Sequence, residues 1–230
     1  SLRRLKTDWI DLYQIHQPDP ATPIEETLRA LEDLIQQGKV RFIGCSNFPA
    51  WQVADAQWTA KYHGLHGFVC CQDEYSLLAR DVEKELLPAM KAYGLGLLPY
   101  FPLACGLLTG KYRPDQMPPG ARLSSPGPFA RFTARFLTEE NWRRVEELER
   151  FCRERGHTLL ELAFSWLAAQ PLVASIIAGA TRPEQVEQNV KAVEWKLSAD
   201  DLAAVDRLTA RNGLPATGAQ PSQAPSFRAS

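Results

Sequence analysis

The chain has 230 residues, of which 45% are hydrophobic and 23% are charged, and its formal net charge is −1. This is ordinary globular composition, and the length suffices for one substantial core. The near-zero charge gives no electrostatic reason to expect a nucleic-acid or membrane-surface partner, and no apolar run is long enough for a membrane span.

Cysteine usage indicates a reducing compartment. The five cysteines are odd in number and lie mostly in apolar runs, which favours buried, reduced thiols: Cys45, Cys70, Cys71, Cys105 and Cys152. No signal-peptide pattern opens the chain, and we expect a cytoplasmic location. Neither CxxC nor HExxH spacing occurs, so no metal site is predicted.

The first predicted elements are the end of a helix and a strand. Leu2 and Leu5, three residues apart among basic residues, are typical of the last turns of an amphipathic helix. A chain that opens inside a helix predicts that residues preceding it are absent. The apolar segment 9–15 predicts a buried strand that presents His16 at its C-terminal edge, before Pro18.

Helices and strands then alternate along the chain. A capping box at Thr22 and Glu25, with proline at the first helical position, predicts a helix that runs to Gln37. The further predicted helices are 49–62, 81–93, 138–156, 158–169, one that opens at 181–184, and 198–209. Trp51 and Trp58, on the helix at 49–62, are expected to be core residues. The further predicted strands are 40–44, 68–72, 95–99 and 174–178. A loop rich in proline and glycine covers 104–137. The composition of 210–230 predicts a mobile tail, which leaves 1–209 as one domain.

This alternation of continuously apolar strands with helices predicts a parallel α/β sheet. A doubly wound dinucleotide fold would carry G-x-G-x-x-G after its first strand, and that motif is absent. The segment 106–111 only faintly resembles a phosphate loop, since its glycine spacing is short and Tyr112 replaces Ser or Thr. A (β/α)8 barrel remains, with about five of its eight strands in this chain.

Polar or aromatic groups follow the C-terminal end of every predicted strand. They are His16, Ser46 with Asn47, Gln72, Tyr100 and the segment 179–189. Each has a structural alternative when taken alone: a satisfied strand-end histidine, a helix cap, a core amide, or packing at the rim. Their joint occurrence favours a functional site, because barrel enzymes place their chemistry at that edge.

The segment 179–184 predicts a phosphate site. A helix N-terminus exposes free N–H groups and a partial positive charge. Thr181 and Glu184 predict a capping box, and Arg182 adds a guanidinium that can grip phosphate oxygens. The alternative is a well-capped surface helix with a solvated arginine.

Several segments together resemble the aldo-keto reductase family: 11–16, 43–48, 72–78, 102–112 and 179–189. The version of the loop after Tyr100 is similar to that of bacterial members and of potassium-channel β-subunits. The resemblance covers residues 1 to about 209 and implies the barrel fold and NADP-dependent reduction of aldehydes or ketones. It implies that His16 is the active-site histidine, which orients the carbonyl oxygen of a small substrate.

The resemblance also implies the cofactor-binding residues. Polar groups after the second and third strands would hold the nicotinamide amide, an aromatic residue would stack on its ring, a loop would wrap the pyrophosphate, and the last segment would bind the 2′-phosphate and adenine. These residues are Ser46, Asn47, Gln72, Tyr100, Phe101, Pro102, Leu103, Cys105, Gly106, Lys111, Arg122, Gly179, Thr181, Arg182, Gln185, Gln188 and Asn189. The basic residue beside the 2′-phosphate position predicts NADP(H) over NAD(H).

The chain departs from the family's pattern in its catalytic residues. The family uses Asp, Tyr, Lys and His, and only His16 has a counterpart here; Tyr13 and Lys39 do not match the missing positions. Three hypotheses follow: most of a working reductase, a cofactor-binding regulatory subunit without turnover, or an inactive barrel fragment. An open sheet also exposes two edges that invite pairing into a homo-oligomer.

Overall fold

A computed structural model describes residues 1–120, 123 and 130–210. Its centre is a four-stranded parallel sheet in the order β1-β2-β3-β4. The strands are Ile10–Ile15, Val40–Ser46, Cys70–Gln72 and Gly96–Leu97. A parallel sheet with helical connections confirms the predicted α/β class.

The helices follow the strands in the predicted alternation. α1 to α4 are Leu2–Leu5, Ile24–Gln36, Ala50–His63 and Leu86–Tyr93. α5 to α9 are Ala130–Ala134, Glu139–Arg153, Leu159–Ala168, Pro183–Lys191 and Ala199–Thr209. Two 3-10 segments cover Asp81–Glu83 and Ala104–Thr109. Across the described part of the chain, no helix combines the length and apolarity that a membrane crossing requires.

The helices cover one face of the sheet. Ile43, Cys45, Cys71 and Leu97 point from the strands into a buried cluster with side chains of the connecting helices, such as Leu28, Val53 and Met90. This packing fixes the strands relative to one another and leaves their C-terminal ends side by side. It therefore determines which strand-end residues can meet.

Local capping motifs begin three of the helices. Thr138 caps α6 by accepting a hydrogen bond from the Asn141 backbone. α7 begins with the capping box of Thr158 and Glu161, and α9 with that of Ser198 and Asp201. These motifs form because the interacting groups lie within four residues of one another.

The predicted fifth strand, 174–178, is wrong as a regular strand. The segment lies beside β4 and makes an isolated parallel bridge between Leu97 and Val173. The backbone of Ile177 also donates to the Pro99 carbonyl at 3.0 Å. Pro99 has no N–H to donate in return, so a regular ladder cannot continue past it. The part of the chain that the structure describes thus contributes four strands and one irregular segment, where the sequence predicted about five strands.

Two local predictions also need correction. Thr22 does not cap α2; its hydroxyl donates to Asp19 at 2.8 Å, and Pro23 occupies the N-cap position. Trp51 and Trp58 were predicted to be core residues, yet 65% and 60% of their surfaces are exposed. They lie on the outer face of α3, which no described element covers.

A clamp of charged and aromatic side chains joins the segment after β3 to the C-terminal helix. The Arg80 guanidinium pairs with Glu83 at 2.7 Å and with Asp206 of α9 at 2.8 Å, and it donates to Thr209 at 2.6 Å. Its charged group also lies 5.0 Å from the centre of the buried Trp166 ring. We call Arg80, Glu83, Asp206 and Trp166 the Arg80 clamp.

Glu32 of α2 ties that helix to the loop after α3, and we expect it to give stability a dependence on acid pH. The His66 backbone N–H donates to its carboxylate at 2.9 Å and the Gln36 amide donates at 2.6 Å. These hydrogen bonds, that of His66 first, lower the pKa of Glu32 from 4.5 to about 2.

Because the folded-state pKa is lowered, the stabilisation is complete above pH 4.5 and is lost as pH falls towards 2. Glu32→Gln should therefore lose less stability than the parent protein between pH 5 and pH 2, as measured by urea unfolding. Glu26→Gln, on the exposed side of the same helix, should keep the parental pH dependence. Parallel pH profiles for Glu32→Gln and the parent would contradict this assignment.

Candidate functional site

The C-terminal edge of the sheet brings together the polar residues that follow its strands. Because the strands are parallel, the ends of β1, β2 and β3 and the residues after β4 lie at the same edge. His16, Ser46, Asn47, Gln72 and Tyr100 are all there, and hydrogen bonds join them. We call these five residues the strand-end cluster.

Asn47 is the centre of the strand-end cluster. Its side-chain nitrogen donates to the His16 carbonyl at 2.9 Å and to the Ser46 hydroxyl at 3.0 Å. Its side-chain oxygen accepts from the Tyr100 hydroxyl at 2.7 Å. The residue has a φ of 61°, a left-handed conformation that asparagine tolerates better than most residues. The sequence identified Asn47 but not this backbone geometry.

A second chain of hydrogen bonds connects β1, β2 and β3. The Ser46 hydroxyl donates to the Gln72 carbonyl at 2.6 Å, and the Gln72 amide donates to the Gln14 side chain at 2.7 Å. Gln14 was not predicted as a site residue. A signal was available, since Gln14 precedes His16 by two positions and therefore shares its side of the strand.

Gly44 permits this close approach of the strands. A Cβ atom at that position would lie 2.7 Å from the Cys70 sulfur and 3.0 Å from the Cys70 carbonyl oxygen. The second contact is with backbone, which cannot move aside cheaply. A side chain here would push β3 away from β2, and the pairing of Ser46 with Gln72 depends on that spacing.

Asp73 is a buried carboxylate that the sequence reasoning missed. It is 7% exposed and follows Gln72 directly. One oxygen, Oδ1, accepts from the Asn47 backbone N–H at 3.2 Å, while Oδ2 is buried without a hydrogen-bond partner among the described residues. Burial raises the pKa of Asp73 to about 6, against the opposing effect of the Asn47 hydrogen bond.

Tyr100 presents a partly buried aromatic ring beside this group. Burial, and then the negative charge of Glu74, raise the pKa of its hydroxyl above the ordinary value. Phe101 packs edge-on against the ring, with 5.1 Å between ring centres. Glu74 also forms an ion pair at 2.6 Å with Arg135, at the end of the long loop.

The loop after Tyr100 contains consecutive residues with left-handed backbone. Phe101, Ala104, Cys105 and Gly106 have φ values of 53°, 46°, 58° and 102°. Non-glycine residues adopt this region at a cost and are often found at functional sites. Pro102 and Cys105 are buried, Leu103 is half-buried, and Lys111 is exposed with its amine 5.1 Å from the centre of the Tyr112 ring.

The segment 172–177 brings the start of α8 to the same edge, because its backbone hydrogen bonds run along β4 as far as Pro99. Gly179, Thr181, Arg182 and Gln188 are exposed there, and Asn189 is half-buried. The predicted capping partner Glu184 is wrong. Gln185 takes that place, since its side-chain oxygen accepts from the Thr181 backbone at 2.7 Å and from its hydroxyl at 3.1 Å.

The structure therefore joins the strand-end cluster directly, and places the loop after Tyr100 and the start of α8 at the same edge through the backbone. Arg122 lies outside the described residues, and so does the predicted tail from residue 211 onwards. Among the residues that are described, no group of three or more His, Cys, Asp or Glu side chains could hold a metal ion.

Comparison with known proteins identifies relatives over nearly the whole chain. Residues 1–210 match the model of the aldo/keto reductase family. A "probable voltage-gated potassium channel subunit beta" of Arabidopsis thaliana is 40% identical over 195 residues, which are 84% of this chain and 59% of that protein. The "uncharacterized oxidoreductase YrpG" of Bacillus subtilis is 37% identical, over 88% of this chain and 59% of the relative.

A third relative is named for an enzymatic activity. The "L-glyceraldehyde 3-phosphate reductase" of Escherichia coli O157:H7 is 34% identical over 214 residues, which cover 90% of this chain and 60% of the relative. The chain thus spans about three fifths of the length of these curated relatives.

Proposed function

The chain belongs to the aldo/keto reductase family, and we propose that it supplies the NADP(H) site and the substrate-orienting histidine of a carbonyl reductase. The family has the (β/α)8 barrel fold, and the four-stranded parallel sheet is part of such a barrel. The observation that carries the proposal is the hydrogen-bonded strand-end cluster, since five predicted site residues from four strand ends meet there.

The strand-end cluster fits the nicotinamide end of the cofactor. A primary amide needs both hydrogen-bond donors and acceptors, and Ser46, Asn47 and Gln72 present both kinds of group. Tyr100 adds a ring beside them, and an aromatic face can stack on a planar heterocycle. These residues are held in position by hydrogen bonds between strands, so little ordering is needed when a ligand binds.

The loop after Tyr100 and the start of α8 are suited to the phosphates of the cofactor. The loop after Tyr100 is assigned to the pyrophosphate, because three successive residues, Ala104 to Gly106, hold a left-handed backbone of the kind often found at functional sites. Lys111 adds a positive charge to the same loop. At the start of α8, the Arg182 guanidinium forms no ion pair with any described residue, which leaves its donors available for a phosphate.

His16 is proposed to orient the substrate. NADPH, when bound, supplies the hydride that adds to the carbonyl carbon. The His16 imidazole lies at the exposed end of β1 and donates a hydrogen bond to the carbonyl oxygen, which polarises that bond and fixes the carbonyl plane. We propose small aldehydes or ketones as substrates, because the family's chemistry acts on a carbonyl group.

Titration with two ligands tests the proposed orientation of the cofactor. Tyr100→Leu removes the stacking ring and should weaken NADPH binding about tenfold. The same variant should leave the binding of 2′,5′-ADP unchanged, since that ligand has no nicotinamide. Tryptophan fluorescence of the titrated protein reports both affinities.

Tyr62→Leu is the matched control, because Tyr62 is 83% exposed on α3 and should bind both ligands like the parent protein. Equal affinity of Tyr100→Leu and the parent for NADPH would contradict the assignment of the strand-end cluster to the nicotinamide.

A cofactor-binding subunit without turnover is the second candidate function. It is favoured by the similarity to the potassium-channel relatives. NADPH binding without aldehyde-dependent oxidation of NADPH, in the longest natural form of the protein, would favour this candidate. A form that binds no cofactor would favour an inactive fragment.

We propose a cytoplasmic location, because all five cysteines are free and buried. Burial raises the pKa of Cys70 to about 11 and that of Cys152 to about 12, which keeps both thiols protonated and unreactive at neutral pH. Pairing of two copies through the free edge of β1 stays a prediction, which the mass of the protein in solution tests.

A further inference from the structure

We propose that Asp73 is a positioning residue: through the backbone amide of Asn47, its carboxylate fixes the Asn47 side chain in the strand-end cluster. The inference rests on the proposed function in one respect, since that cluster is assigned to the nicotinamide. The contact itself can be measured without any cofactor.

The Asp73 side chain makes one hydrogen bond with a described residue, and that residue is Asn47, the centre of the strand-end cluster. Oδ1 accepts from the Asn47 N–H at 3.2 Å, and no described residue offers Oδ2 a hydrogen bond. A buried carboxylate with an unpaired oxygen is costly to fold, so it does not serve stability well. The energetic cost is better explained by what its single hydrogen bond holds in place.

Asn47 needs such support because its backbone is in a sparsely populated conformation. A left-handed φ persists in a non-glycine residue only where neighbouring groups enforce it. The carboxylate provides a charge-assisted hydrogen bond to the strained peptide unit. The side-chain amide that this unit carries reaches both His16 and Tyr100, so a rotation at Asn47 would disturb two further members of the cluster.

The surroundings of Asp73 bear on its protonation. The Cys45 thiol on β2 and the Tyr100 hydroxyl after β4 both lie within electrostatic reach. His16 faces the same edge from β1, and the next residue, Glu74, is paired with Arg135. The Cys45 thiol and the Tyr100 phenol, which interact electrostatically with Asp73, are neutral near pH 6. The protonation of Asp73 in that range is therefore governed chiefly by its burial and by the Asn47 hydrogen bond.

The ionised carboxylate is the better acceptor, so the direction of the pH effect is fixed. Above the raised pKa the Asn47 amide is held strongly, and below it the neutral acid holds the amide weakly. The strand-end cluster should thus be more ordered at pH 8 than at pH 5. A carboxylate that only stabilised the fold would leave the NADPH affinity of the folded protein independent of its protonation.

Nuclear magnetic resonance of the ligand-free protein tests the contact directly. The Asn47 amide proton should titrate with a midpoint near pH 6 in the parent protein. In Asp73→Asn the amide oxygen can still accept from Asn47, but nothing ionises, so the resonance should stay in place over the same range. An Asn47 amide that does not titrate in the parent protein overturns the proposal.

NADPH affinity tests the consequence. At pH 8, Asp73→Ala should bind NADPH about tenfold more weakly than the parent, and Asp73→Asn within about twofold of it. Between pH 8 and pH 5, the affinity of the parent should fall relative to that of Asp73→Asn. This ratio cancels titrations that both proteins share, including that of the 2′-phosphate.

The outcomes separate the two proposals. Parental affinity in Asp73→Ala, or parallel pH profiles for the parent and Asp73→Asn, overturns the positioning role while the cofactor site stands. A titrating Asn47 amide in a protein that binds no NADPH supports the contact and overturns the proposed function. If Asp73→Ala does not fold, the pH profiles of the parent and of Asp73→Asn still test the positioning role.

Discussion

Replacing Arg80 with methionine should lower the free energy of unfolding by about 2–4 kcal/mol. Arg80 and Glu83 are 17% and 18% exposed, and the methionine would leave the Glu83 carboxylate without its guanidinium partner. The variant would also lose the link to Asp206 and Thr209 in α9. The expected loss is set below that of a fully buried pair, because Asp206 is 34% exposed and water screens it.

Urea unfolding of Lys84→Met provides the matched control. Lys84 pairs with Asp81 at 2.9 Å only four residues away from Arg80, but both side chains are about half exposed, so its loss should cost less than about 1 kcal/mol. Arg80→Lys should fall between the two, since an ammonium cannot reproduce the forked contacts. Equal free energies of unfolding for Arg80→Met and Lys84→Met would show that the Arg80 clamp stabilises the fold no more than an exposed ion pair does.

Replacing Arg182 with alanine should weaken NADPH binding about 10- to 100-fold and leave NADH binding unchanged. The two cofactors differ only in the 2′-phosphate, and a hydrogen bond to a charged group contributes about 1.5–3 kcal/mol. Arg182 is exposed at the start of α8, where the helix dipole also favours an anion. Calorimetric titration with each cofactor measures the selectivity directly.

Lys191→Ala removes the same unit of charge from the last turn of the same helix and should leave the ratio of the two affinities unchanged. If Lys191→Ala lowered the NADPH affinity as much as Arg182→Ala does, the loss in Arg182→Ala would reflect only the change in net charge. An equal loss of NADH binding in Arg182→Ala would place Arg182 away from the 2′-phosphate.

The sequence predicted those features that depend on near neighbours. The starts of α6 at Thr138 and of α9 at Ser198, and the order of strands and helices, follow from spacing within a few residues. The capping boxes predicted at Thr22 and at Thr181 do not form, because other side chains compete for the same groups. The irregular segment after α7 was wrongly predicted as a regular strand, because its pairing fails at Pro99, which is distant in sequence. Trp51 and Trp58 were misplaced because periodicity does not say which side of α3 is left uncovered.

The same distinction applies to the site. His16, Ser46, Asn47, Gln72 and Tyr100 were predictable, since each follows an apolar run and matches a family motif. Asp73 and Gln14 were missed because their importance arises from partners on other strands. The left-handed backbone of Asn47 is likewise imposed from across the sheet, and no local pattern indicates it. Their roles as ligands of a cofactor stay predictions.

The Arg80 clamp has a consequence for how the protein is made. Arg80 and Thr209 are 129 positions apart, so the clamp cannot close until α9 has been synthesised. Tyr75, two residues after Asp73, donates to Glu83 of the same clamp at 2.7 Å. During translation at about 5–20 residues per second, the segment beside the strand-end cluster therefore waits for α9. Nascent chains still attached to the ribosome should acquire cofactor affinity only when residue 209 has emerged from the exit tunnel.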